Sequence, residues 1–297
     1  MGVAAQALDL QMVGQPVERS LSRSARKLFL LWTAFWWGGV GVCAFLFYFE
    51  VLEFRPSAKI SLYGISIWLN GWLLAFLAQR FETRSRLDLY HDCLVIWIVS
   101  YAMTNALWEI PWVIFSPFIF DDLNTIEDVL AHTGYMRESI LHMYWWMLAS
   151  FGSVDLRTVN HDPTFYSVEI FAFANLATTL YFFHLNRKRS PYRYLIAVLA
   201  CGEPVAATFI FSFAEVFGGF TNMVGGVADI LLALVWTQYQ YFVFQLIFGA
   251  LGYQLLLEDW RQCHGAGAQT ARSDSRKLDS RTEPTPAEAG PSFAASR

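Results

Sequence analysis

Charge is scarce in this chain. Only 15% of its 297 residues are Asp, Glu, Lys or Arg, against 55% hydrophobic and 17% aromatic, and the mean hydropathy is +0.35. That balance excludes an ordinary soluble domain, and a net charge of -4 with basic residues in short clusters excludes a nucleic-acid footprint. Cysteine is scarce too: Cys43, Cys93, Cys201 and Cys263 form no CxxC pair, so they read as small packing residues and not as a disulfide framework. Metal-ligand spacing, GxSxG, a P-loop and a dinucleotide fingerprint are all missing, and the reading therefore expects no cofactor and no metal. No repeat of fixed period is present. The first apolar run lacks the small-residue cleavage site of a secretory signal and is long, so it is read as a spanning helix.

What the chain has in abundance is apolar length. A bilayer core takes about 20 mostly apolar residues per helix, and six stretches qualify: 28–50, 60–79, 92–117, 165–185, 194–216 and 226–257. The fold class expected is all-α, a polytopic transmembrane helical bundle of about six spans. Residues 1–27 read as a cytosolic segment, 28–59 as an extra N-terminal transmembrane helix, 60–260 as the main membrane domain and 261–297 as a disordered tail too polar to bury a core. Clusters at Arg19–Lys27, Arg80–Arg86, Arg187–Arg193 and Arg261 fall on one side of a six-span topology, which puts both termini in the cytosol. Arg55 and Lys59 are the mild exception. The loop 118–164 then faces the lumen or exterior with Asp121, Asp122, Glu127 and Asp128. Within it "ESILHMYWWMLASF" carries Tyr144, Trp145 and Trp146, which suit a helix lying at headgroup level.

An ionisable side chain at the bilayer centre costs on the order of 3 kcal/mol and usually faces a protein interior or a wet cavity. "TNALWEIPW" sets Glu109 in such a place; Glu169, Glu203 and Asp229 are the others. With antiparallel spans, Glu109 and Glu169 lie at similar depth and can meet in one cavity, where desolvation raises a carboxyl's pKa and a second carboxylate splits the pair into an acid and a base. Trp108, Trp112, Tyr166, Trp236, Tyr239, Tyr241 and Phe242 surround them, and aromatic faces suit a carbocation or an amine. Plainer roles stand beside these. Membrane aromatics are mostly packed or lipid-facing, and Glu109 could simply hydrogen-bond Asn105 or a neighbouring helix. Glu203 precedes the helix-bending Pro204, while Asp229, Glu215 and His184 fit the interface.

From 152 to 194 the chain reads "GSVDLRTVNHDPTFYSVEIFAFANLATTLYFFHLNRKRSPYRY". This resembles the emopamil-binding protein family, the membrane sterol delta-8 to delta-7 isomerases and their EXPERA-domain relatives. The likeness lies in the D-x-R of Asp155 and Arg157 with Asp162 following, in Glu169 a few residues into the next helix, and in Pro191, Arg193 and Tyr194. Glu109 with Trp112 matches the intramembrane glutamate and aromatic of that family's preceding helix. The resemblance, spanning roughly 60 to 260, implies an EXPERA-like five-helix core behind an extra first helix. It also implies residence in the endoplasmic reticulum membrane, and a cavity for a sterol-like or terpenoid small molecule beside membrane lipid, with a homodimer left open. Glu109 and Glu169 would be the catalytic pair, Asp155, Arg157 and Asp162 would lock the lumenal loop, and Asn105, Trp108, Trp112, Tyr166, Glu203, Tyr241 and Gln245 would touch substrate.

Three departures from the family accompany this. The isomerases' histidine four residues before the first glutamate is Asn105 here, their Y-G-D motif gives way to "GEPVAATFIF", and their N-x-x-W after "YFVF" becomes "QLIFG", where Gln245 is the nearest polar substitute. "NALWE" is also similar to the N-x-x-W-E of fungal membrane-bound terpene cyclases. The expected function is thus a sterol-isomerase-like activity through a carbocation, with a non-enzymatic lipid or cationic-amphiphile binder, or a terpene cyclase, as alternatives. A small-solute transporter ranks last.

Overall fold

The computed structural model describes residues 16–120, 123–140 and 142–279, with side chains through 263. Residues Glu18–Leu257 form one compact unit, which holds the site described below. Six helices are long and apolar enough to cross a membrane: α1 (Arg23–Tyr48), α2 (Phe54–Ala78), α3 (Arg86–Ile119), α6 (Pro163–Arg187), α7 (Arg193–Gly218) and α8 (Val227–Cys263). Between α3 and α6 lie two shorter ones, α4 (Ile126–Met136) and α5 (Met143–Ala149). Among the described residues there is no strand, only an isolated bridge between Asp155 and Met223.

Each span overlaps an expected apolar stretch and runs beyond it at one end or both, because polar caps add turns that hydropathy does not register. Ser22 and Ser85 accept from the backbone N–H of Ala25 and Asp88 to start α1 and α3, and Gly219, at φ 72°, closes α7 in the left-handed conformation that glycine takes without a Cβ clash. Two boundaries differ from expectation. The second span begins at Phe54, so the division at residue 59 falls inside α2. Helical backbone continues to Asp279, through a stretch expected to be unfolded, since no proline occurs before Pro284 and Ala, Gln, Arg and Lys favour helix. Residues 280–297, Asp121 and Asp122 lie outside the described residues.

The aromatic segment of the 118–164 loop forms α5, but it is packed on the bundle and does not present all its rings outward. Trp146 is fully buried and donates to Ser57 Oγ at 3.1 Å. The exception to the basic pattern also finds its reason: Arg55 (3.1 Å) and Lys59 both pair with Asp229, so these cations neutralise an acid of α8.

Two apolar clusters make up the core. One gathers Phe47, Phe54, Leu62, Trp112, Trp146, Phe165, Phe211 and Leu232. The other gathers Phe29, Trp68, Trp97, Phe182, Tyr194, Cys201, Phe244 and Phe248. Every long helix contributes to both, at opposite ends. Near the middle of the bundle, between them, packing leaves a gap.

Candidate functional site

That gap is a cavity with about 980 Å³ of space unfilled by protein atoms, counting its open mouth. Its wall follows the switch from one core cluster to the other along each helix: Leu62 to Leu69 of α2, Tyr101 to Glu109 of α3, Phe165 to Ala172 of α6, Ala207 to Phe211 of α7 and Thr237 to Tyr241 of α8. Trp37 of α1 belongs to it as well, so the first helix is part of the site and not an addition outside it.

Glu109 and Glu169 both line this space, close enough for their charges to interact. Glu109 is 9% exposed. Among the described residues neither makes an ion pair or a hydrogen bond. Around them stand Trp108, Tyr101, Tyr241, Phe151, Phe165 and Phe171, with Thr104 beside the Tyr241 hydroxyl. The Tyr101 and Tyr241 rings meet edge to face at 5.5 Å.

The backbone explains which side chains arrive. Asn105–Glu109 forms a π-helical turn, the Ile110 N–H reaching back five residues to the Asn105 carbonyl. Two further π turns, Leu231–Trp236 and Gln240–Phe244, flank the α8 wall. All three π turns among the described residues thus border the cavity, the setting in which such wide turns concentrate. A π turn inserts one residue, so the neighbour sharing the face of Glu109 one turn back is Thr104, five residues away, and not Asn105, four away. Tyr101 and Thr104 were missed in the sequence for this reason.

Asn105 points elsewhere. It is fully buried and donates to Asn175 Oδ1 at 2.9 Å. Asn175 Nδ2 donates to the Ala200 carbonyl at 2.7 Å and to Glu203 at 3.1 Å, and Thr178 donates to Glu203 at 3.1 Å. Pro204 has no N–H to serve Ala200 four residues back, and Asn175 supplies the missing donor. Glu203 is therefore a strut between α6 and α7, and neither it nor Asn105 lines the cavity. Three other residues expected at the substrate are also placed outside the wall. Gln245 accepts from Trp97 Nε1 at 3.1 Å, Trp112 donates to the Thr158 carbonyl at 2.8 Å, and the Tyr166 hydroxyl meets Ser116 Oγ at 2.5 Å. Of the seven, Trp108 and Tyr241 remain. Hydrogen bonds to neighbouring helices, or for Trp112 to the loop before α6, hold the other five outside it.

Beneath the cavity the D-x-R loop is buried. Arg157 grips Asp155 through Nε (3.0 Å) and Nη2 (2.6 Å), donates to the Phe211 carbonyl at 2.9 Å, pairs with Glu215 at 3.2 Å and lies over the Phe211 ring. Burial outweighs the guanidinium and holds the Asp155 carboxyl above its ordinary value. Asp162 caps α6, accepting from the Phe165 N–H at 2.9 Å just before Pro163. Glu215, expected at the interface, is 2% exposed and belongs to this ion cluster.

These features define the class: a multi-pass helical membrane protein with an acidic, aromatic-walled cavity in the interior of its bundle. No protein family, no curated protein and no solved structure matches the chain. Among the described residues no group of His, Cys, Asp and Glu could hold a metal.

Proposed function

We propose that the protein is a membrane-embedded isomerase that moves a ring double bond of a sterol-like lipid through a carbocation. One observation carries the reading: two carboxyls, with no cation or hydrogen-bond partner among the described residues, face the same aromatic cavity. One carboxyl gives a proton to an alkene carbon, leaving a tertiary cation on its neighbour. The other takes a proton from the adjacent carbon, and the double bond forms one position along. Proton exchange between the two resets the pair. The faces of Trp108, Tyr101 and Tyr241 stabilise the cation, each by roughly 0.5–2 kcal/mol. The resemblance to the emopamil-binding family supports the substrate class and an endoplasmic reticulum location.

A second reading has its own support. The position of the isomerases' histidine is Asn105, which is bound to Asn175 and turned from the cavity. A non-enzymatic binder of a cationic amphiphile needs only the carboxylates and aromatics.

Conversion of a delta-8 to a delta-7 sterol in microsomes of a host lacking its own isomerase, followed by mass spectrometry, tests the proposal. Product that vanishes in both Glu109→Gln and Glu169→Gln is expected. No product from folded protein, together with amine binding lost in the same variants, would move the assignment to the binder.

A further inference from the structure

The turn that aims Glu109 is held from outside the membrane spans. Pro111 offers no N–H, so an α-helical turn would leave the Leu107 carbonyl without a donor, at a position where the Leu107 side chain is itself exposed and no water is at hand in a bilayer. The Tyr144 hydroxyl of α5 donates to that carbonyl. A second bond joins the same two segments in the opposite sense, Trp108 Nε1 donating to the Met147 carbonyl at 3.2 Å. Leu107 and Trp108, the two residues of the π turn that precede Glu109, are thus both tied to α5. Helix α5 is in turn part of the cavity boundary, since Met147 and, just beyond it, Ser150 and Phe151 line the space.

We propose that Tyr144 is a positioning residue for Glu109: Pro111 leaves the Leu107 carbonyl without a helical donor in a wide or an α turn alike, and the bond from Tyr144 selects the wide form of Asn105–Glu109, which presents that carbonyl to α5 and directs the carboxyl into the cavity. A proposal of this kind rests on the reading of Glu109 as a cavity acid. If the turn relaxed to an α-helix, losing its extra residue, Glu109 would rotate by about 100° relative to the residues on the far side of the turn. Thr104 would leave the cavity face with it. The helix that walls the cavity and the turn that aims its acid therefore move as one, and a ligand seated against Met147 and Phe151 favours the arrangement in which Glu109 faces it.

The test uses full-length protein in membranes and dicyclohexylcarbodiimide, an apolar reagent that modifies carboxyls from hydrocarbon space, with adducts at Glu109 and Glu169 quantified by peptide mass spectrometry. Tyr144→Phe keeps the ring and removes the donor. It is expected to lower labelling of Glu109 relative to Glu169 by about tenfold, the worth of one such hydrogen bond in an equilibrium. Pro111→Ala supplies an α-helical N–H that competes with Tyr144 for the Leu107 carbonyl, so it is expected to lower the ratio by itself, and in that background Tyr144→Phe is expected to change it little further. A packing role for Tyr144 would lower it equally in both backgrounds, and that result overturns the proposal. So does an unchanged ratio in Tyr144→Phe alone, or failure of Glu109 to label in the unaltered chain. Labelling needs no sterol, so the expected pattern without sterol conversion would sink the isomerase reading and leave the positioning role standing; conversion with an unmoved ratio would do the reverse.

Discussion

Two regions of this bundle gather carboxylates, and they treat them in opposite ways. Around Arg157, Asp155 and Glu215 are almost wholly buried, and the guanidinium meets both at 2.6 Å and 3.2 Å while its face covers Phe211. In the cavity, Glu109 and Glu169 face each other's charge across aromatic walls with no cation at all. A buried ion pair held by several hydrogen bonds fixes geometry, whereas an acid left without a counter-charge at membrane depth costs stability and marks a candidate functional site. The first arrangement holds the D-x-R loop; the second is where we propose the chemistry.

The contrast can be broken at its strong end first. Arg157→Met leaves two carboxylates buried without their partner and is expected to destabilise the protein by about 3–5 kcal/mol, read as a loss of monodisperse protein on heating in detergent. Next comes the strut. Asn175→Ala removes the donor to the Ala200 carbonyl and to Glu203 and should cost about 1–3 kcal/mol, measured the same way. Glu109→Gln and Glu169→Gln sit at the other side of the comparison. Each should leave thermal stability unchanged or slightly raised, because no partner is orphaned, while removing turnover by about 10²–10⁴-fold. A large loss of stability in either would mean the cavity carboxyls are structural after all.

The smallest effect concerns the entrance to α1. Ser24 donates to Glu82 through its N–H and its hydroxyl, both at 2.7 Å, and these bonds hold the Glu82 carboxyl below its ordinary value. A lowered folded value means that the contribution is present above the ordinary carboxylate range and is lost as pH falls through the folded value. Ser24→Ala should flatten that slight acid-side loss, visible in melting temperature followed from neutral pH downward.

Much of this was legible in the residues. Glu109 and Glu169 were expected to share a cavity because their spans are antiparallel, and Trp108 and Tyr241 were expected beside them. Asn105, Glu203 and Gln245 were expected there too, and each instead bonds to a neighbouring helix. Their polarity is visible in sequence, but the direction of a side chain around a helix depends on a register that the π turn at Asn105–Glu109 shifts by one residue. Tyr101 and Thr104 entered by the same shift. Trp37 was hidden for a different reason, since contact between α1 and the rest is a matter of packing and leaves no mark in hydropathy.

Apolar length and the cost of an unsatisfied backbone in lipid are local properties, so the sequence by itself determined six helices, where they run and which acids they carry to membrane depth. Which acids found a cation, which amides became struts, and which face of α3 met the cavity were decided only by the tertiary structure. Those outcomes depend on distances between helices far apart in the chain and on one extra residue in a turn, and neither can be read from any single stretch.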